Sequence, residues 1–174
     1  MKKVLVTGHL GFIGVHLVRL LKEQGFYVVG IDNNYFNSDC NYSNFTSPDR
    51  EIIKDIRKIN EDDLEDIFAV CHLAGLSNDP MGELNDNLTY DINYEASKKL
   101  AKLSKKLAVN RFIFSSSCSM YGISDGDKAL DESAEFAPVT AYAISKVKTE
   151  LSIKELCDDE FAVTSLRNAT AYGI

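Results

Sequence analysis

Short apolar runs alternate with longer helix-patterned stretches along the whole chain. Residues 3–7 read as a buried strand, and residues 12–24, nearly apolar through their first turns, as a helix closing at Gly25. Tyr27-Val-Val-Gly-Ile31 is a second strand. A polar loop without periodicity follows over 33–47, carrying Asn33, Asn34, Asn37, Asn41 and Asn44. Glu51 to Asp55 makes a weaker third strand, Asn60 caps an acidic helix over 61–66, and Phe68 to Leu73 is the fourth strand. After a loop through Pro80, a long helix is predicted over roughly 88–108. Its stripe Ile92, Ala96, Leu100, Leu103 and Leu107 keeps helical spacing, while Lys98, Lys99, Lys102, Lys105 and Lys106 fall on other faces. Arg111 to Phe114 is the fifth strand, 140–157 a second long helix, and Phe161 to Leu166 the sixth strand. Strands alternating with helices predict an α/β fold, a doubly wound parallel sheet joined by right-handed crossovers and covered on both faces.

Composition narrows this reading without altering it. With 174 residues, 45% of them hydrophobic, the chain buries one substantial core, so residues 1–174 are expected to form one domain. A net charge of −7 argues against nucleic acid as a partner. Cys40, Cys71, Cys118 and Cys157 show neither a pairing nor a metal-ligand pattern, and no metal is expected. Cys71 and Cys118 fall in apolar runs, which predicts reduced, buried thiols. The apolar N-terminal run breaks at Thr7-Gly8, too soon for a secretory signal, and no stretch approaches a membrane span. A soluble, cytoplasmic protein with no membrane partner is the expectation.

Two constellations carry chemistry. The turn Thr7-Gly-His-Leu-Gly-Phe-Ile-Gly14 spaces its glycines as Gly8-x-x-Gly11-x-x-Gly14, between the first strand and the first helix. Glycine there permits a tight turn and close backbone approach, and the helix N-terminus presents amides to a pyrophosphate. Asp32 ends the second strand, where a carboxylate accepts both ribose hydroxyls of an adenosine and repels a 2′-phosphate, which favours NAD over NADP. The second constellation is Tyr142-x-x-x-Lys146, with Ser117 upstream at the end of an apolar strand. Phenol, ammonium and hydroxyl together describe a hydride-transfer site in which the tyrosine handles a substrate hydroxyl proton. A nearby cationic nicotinamide and Lys146 are expected to lower the phenol pKa.

These motifs, with Asp55-Ile56, His72-Leu-Ala-Gly75, Phe112-Ile-Phe-Ser-Ser-Ser117, Met120-Tyr-Gly122 and Arg167-x-x-x-x-Tyr-Gly173, run through essentially the whole chain. Together they resemble the extended short-chain dehydrogenase/reductase family, in its NAD-dependent nucleotide-sugar epimerase/dehydratase branch, and imply a Rossmann-like sheet. The resemblance implies that Gly8, Gly11, Phe12, Ile13 and Gly14 wrap the pyrophosphate, and that Asp32 and Asn33 hold the adenosine ribose. Asp55 and Ile56 would lie along the adenine, bordered by the asparagine-rich loop, while Leu73, Ala74 and Gly75 would floor the cofactor. Ser117, Tyr142 and Lys146 would be catalytic, Lys146 also meeting the cofactor. Asn93 matches an asparagine that fixes the helix over the catalytic strand, whereas His72 reads as a core histidine at a strand end.

Two departures qualify the match. Dehydratases of this branch carry Asp-Glu after the catalytic Ser/Thr, where this chain has Cys118 and Ser119, which disfavours 4,6-dehydration. Asn168-Ala169-Thr170 stands where epimerases carry an aromatic residue and an asparagine, leaving the nucleotide open. Family members continue well beyond residue 174 into a sugar-binding domain, so the chain is expected to be a truncated cofactor domain. The expected activity is nucleotide-sugar epimerisation through NAD, in a homodimer built on the 88–108 and 140–157 helices. An NAD-dependent dehydrogenase or reductase of a sugar nucleotide and a non-catalytic NAD(H)-binding protein are the alternatives.

Overall fold

A computed structural model describes residues 1–35, 45–77, 79–123 and 129–172. Six strands, β1 (Lys3–Thr7), β2 (Tyr27–Asp32), β3 (Arg50–Ile53), β4 (Ile67–His72), β5 (Arg111–Ser117) and β6 (Ala162–Asn168), form one sheet in the order β3-β2-β1-β4-β5-β6. Every pairing is parallel. Parallel neighbours require crossovers that lay helices on the sheet faces, so central strands are apolar on both sides. β1 shows this directly. Val4 and Val6 pack with Val18 of α1 (Phe12–Glu23), while Leu5 between them turns to the opposite core with Leu100, Phe112 and Ile153. That second core lies beneath α4 (Ala96–Lys106) and α5 (Ala141–Lys154).

The helix ends follow from local chemistry. Gly25, at φ +78°, closes α1, and Thr140 caps α5 by accepting the Ala143 amide at 3.1 Å. The stripe predicted for the long helix is taken up by the chain's own sheet. Ala96 and Leu100 are core, and the partly buried Ile92, Leu103 and Leu107 pack against the same cluster.

Four elements differ from the sequence reading. β3 stops at Ile53, because Lys54 turns away to bind Asp63 at 2.6 and 2.7 Å and Asp55 caps a 3₁₀ turn, Ile56–Lys58. The acidic helix shrinks to a 3₁₀ turn, Glu61–Leu64, ended by Asp66 at φ +57°. The stretch around Pro80 is a short helix, α2 (Asp79–Glu83), followed by α3 (Asp86–Thr89). The long helix is interrupted by a π-helical segment, Tyr90–Glu95, before α4 begins. No helix among the described residues is long and apolar enough to cross a membrane.

Candidate active site

β1 and β4 lie side by side although their following helices cover opposite faces, and a crevice opens where such crossovers diverge. A cavity of about 660 Å³ sits there, at the carboxyl ends of the strands. At φ +74°, Gly8 turns the chain out of β1; an added Cβ would stand 2.8 Å from the Ala74 amide nitrogen. On Gly14 a Cβ would come within 2.2 Å of the Gly8 carbonyl oxygen, so only glycine lets α1 start against the turn. Gly11 gives α1 no side-chain cap, and the first-turn residues Phe12, Ile13 and Gly14 line the cavity with it. Amides left open at a helix N-terminus suit an anion. Gly8 itself does not line the cavity; it supports the turn from behind.

At the end of β2, Asp32 is held by two backbone amides, Leu10 on Oδ2 at 3.2 Å and Asn34 on Oδ1 at 2.9 Å. Asn34 adopts φ +61° and keeps its side-chain oxygen buried without a partner among the described residues. Asn33 lines the cavity with them and accepts the Tyr35 amide at 3.2 Å. Asp55 and Ile56 also line it, but the Asp55 carboxylate is bound by Arg57, whose guanidinium holds it below the usual carboxylate range. Asn37, Asn41, Asn44 and Cys40 lie outside the described residues.

Leu73, Ala74 and Gly75 form the cavity floor, fixed by a chain of buried hydrogen bonds. The Ala74 amide donates to Thr7 Oγ1 at 3.3 Å, Thr7 meets His72 Nδ1 at 2.7 Å, and His72 Nε2 meets Ser97 Oγ at 2.6 Å. Ser97 donates to the Asn93 carbonyl at 2.7 Å. With its proton given to Asn93, Ser97 accepts from His72 Nε2–H, and burial, which pushes the His72 pKa down to about 3, leaves a neutral ring whose Nδ1 accepts from Thr7. The Asn93 carbonyl also accepts Thr149 of α5 at 2.9 Å, and its side-chain amide binds both the Leu76 amide and carbonyl, at 2.8 and 3.0 Å. A carbonyl serving two hydroxyls fits the π segment that contains it, since such bulges release helix carbonyls.

At the other end, Ser117, Tyr142 and Lys146 converge on the cavity, all buried. Tyr142 and Lys146 stand one turn apart on α5, and Ser117, the last residue of β5, lines the same cavity with its hydroxyl donating to Ser119 Oγ at 3.0 Å. In the chain itself the phenol pKa is raised. Burial outweighs the lowering influence of the Ser117 hydroxyl, and Asp79 and Cys118 push it further up. Lys146 donates to the Ser115 carbonyl at 2.8 Å rather than to the phenol, and burial lowers its own pKa to about 8. One turn beyond Lys146, Glu150 takes Arg167 of β6 at 2.6 Å and Ser116 at 2.9 Å, tying α5 to the sheet edge.

Cys118 departs from its predicted burial: it follows β5 in a 3₁₀ turn and is exposed at the cavity, whereas Cys71 is buried; both are free thiols. Asp79 is a lining residue the sequence reading missed, its signal being the Asp-Pro helix start. Among the described residues no group of three or more His, Cys, Asp or Glu side chains could hold a metal.

The sheet order, the open helix N-terminus, the orphaned Asn34 oxygen and a carboxylate at the end of β2 define a dinucleotide-binding α/β protein whose residues fit NAD. Comparison with known proteins makes the class specific: residues 4–174 match the NAD dependent epimerase/dehydratase family, and the chain belongs to it. A UDP-glucose 4-epimerase of Neisseria meningitidis serogroup C is 32% identical over 96% of this chain and 52% of its own length. A UDP-N-acetylglucosamine 4-epimerase from Methanobrevibacter ruminantium M1, solved with UDP-N-acetylmuramic acid, superposes with a TM-score of 0.84 at 33% identity, covering 95% of this chain and 54% of its own. MoeE5, solved with UDP-glucose and NAD, gives a TM-score of 0.82 at 30% identity with the same coverage of each chain. The chain thus spans about half the length of the relatives it matches.

Proposed function

We propose that the protein to which this chain belongs is a nucleotide-sugar epimerase in which Tyr142 is the acid/base. One observation carries the reading: Ser117, Tyr142 and Lys146 share a cavity with the open nucleotide turn. When bound, NAD supplies the hydride acceptor and donor. The first-turn amides of α1 would hold its pyrophosphate, Asp32 and Asn33 its adenosine ribose, and Leu73 to Gly75 its middle. With NAD in place, Tyr142 would take the proton of the sugar hydroxyl at the carbon that is oxidised and would return it when that carbon is reduced again. Ser117 holds the reacting oxygen. Lys146, with its pKa near 8, is a buried cation at neutral pH and opposes the rise that burial imposes on the phenol once negative charge develops there. Cys118 and Ser119 of the same wall stand where dehydratases carry Asp-Glu, and the carboxylate that does line it, Asp79, is bound by Thr140.

Support for the epimerase reading comes from the 4-epimerases among the relatives. Calorimetry of the 174-residue chain should show NAD⁺ binding that Tyr142→Phe leaves intact, because the phenol lies outside the nucleotide turn. Interconversion of UDP-glucose and UDP-galactose in the whole protein should vanish in the same variant. A chain that does not bind NAD⁺, or a Tyr142→Phe enzyme that epimerises normally, would overturn the reading.

A homodimer is part of the same proposal. It would be built on the 88–108 and 140–157 helices, where Leu151 of α5 is an exposed apolar side chain. Sedimentation should show it, and a monomer at high concentration would refute it for this chain.

A further inference from the structure

α2 belongs neither to the nucleotide turn nor to the tyrosine–lysine pair, yet it brings a carboxylate to their cavity. Asp79 lines the same space as Ser117, Cys118, Ser119 and Tyr142. Its Oδ1 accepts the Thr140 hydroxyl, and Thr140 Oγ1 accepts the Ala143 amide at 3.1 Å, so Asp79 is fastened to the cap of the helix that carries Tyr142. Gly82 seats α2 against that helix, where a Cβ would meet Tyr142 Cβ at 3.0 Å. Asp79 is therefore built into the wall, not carried on a free loop.

Its other oxygen is uncommitted. Among the described residues Oδ2 accepts no hydrogen bond, and no Lys, Arg or His forms an ion pair with Asp79. The lining residues Ser117, Cys118 and Ser119 are uncharged, and Lys146 of the same cavity is committed to the Ser115 carbonyl at 2.8 Å. An unpaired, half-shielded carboxylate is an acceptor-only group: it binds hydroxyl donors well and repels another carboxylate.

We propose that Asp79 is the sugar-recognition carboxylate of this site, accepting a hydroxyl of a neutral hexose and rejecting a sugar oxidised to a uronic acid. The inference rests on the nucleotide-sugar reading above and narrows its substrate class. Both sugars are met among similar proteins, MoeE5 having been solved with UDP-glucose and with UDP-glucuronic acid, so the pair is a fair probe of this carboxylate. The same carboxylate raises the Tyr142 pKa, so its removal has a second, separate readout.

The test uses the whole protein saturated with NAD⁺, titrated with UDP-glucose and with UDP-glucuronic acid and followed by saturation-transfer NMR. Wild type should favour UDP-glucose by about tenfold or more, the 1.4 kcal/mol scale of one well-placed charge contact. In Asp79→Asn, whose amide oxygen still accepts Thr140, the ratio should collapse towards one, and the Tyr142 phenol should titrate at lower pH than in wild type. Equal affinities in wild type, an unchanged ratio in Asp79→Asn, or no saturable sugar binding would overturn the assignment. The wild-type ratio decides the matter by itself if the variant misfolds. Failure to bind NAD⁺ counts instead against the nucleotide-sugar reading, which separates the two.

Discussion

A carboxylate gripped by two backbone amides has little freedom to make room for a phosphate. Asp32 is held in this way by Leu10 and Asn34, so NAD⁺ should bind far better than NADP⁺, by several kcal/mol for a like-charge contact. Calorimetry with both cofactors checks this, and Asp32→Ala should weaken NAD⁺ while narrowing the gap. His72 sets a second expectation. Its folded pKa, about 3, lies below the ordinary 6.5 of an unfolded histidine. The unfolded chain therefore takes up a proton that the native state refuses, so stability present above pH 6.5 is lost as pH falls towards 3, by roughly a few kcal/mol. Urea midpoints at pH 7, 5 and 4 should fall more steeply in wild type than in His72→Gln. The sequence supplied the identity of these groups, and His72 is the core histidine it suggested. It did not supply their environments: the sign of the Tyr142 shift depends on how much water the fold removes, which no spacing records.

Elements show the same division. All six strands and both long helices were legible because burial on two faces writes apolar runs and a covered helix writes a stripe. The π segment was not, since its cause is tertiary: the Asn93 carbonyl serves hydroxyls from two helices, and helical spacing on either side looks unbroken. α2 was hidden by its length, too short to show any period. The glycine turn was legible in residue type, though the structure separates the roles of its glycines, Gly14 setting the helix against the turn and Gly8 bracing it. Gly14→Ala places a Cβ 2.2 Å from the Gly8 oxygen and must displace α1. NAD⁺ affinity should fall by at least about tenfold and stability by about 2 kcal/mol, read from calorimetry and urea titration.

At the scale of the molecule, every strand neighbour among the described residues is parallel, and no two of these strands pair as a hairpin. The central contact, β1 with β4, joins Lys3 to Ile67 only after two other strands have been threaded past. Topology of this kind governs time as well as shape. No sheet contact is local, so the chain must close long loops before burial compensates it, and folding should be slow for its size, in roughly milliseconds to seconds. Stopped-flow refolding should show this, and Val70→Ala in β4, at the seam, should slow refolding measurably as well as speed unfolding if the central pair forms in the transition state.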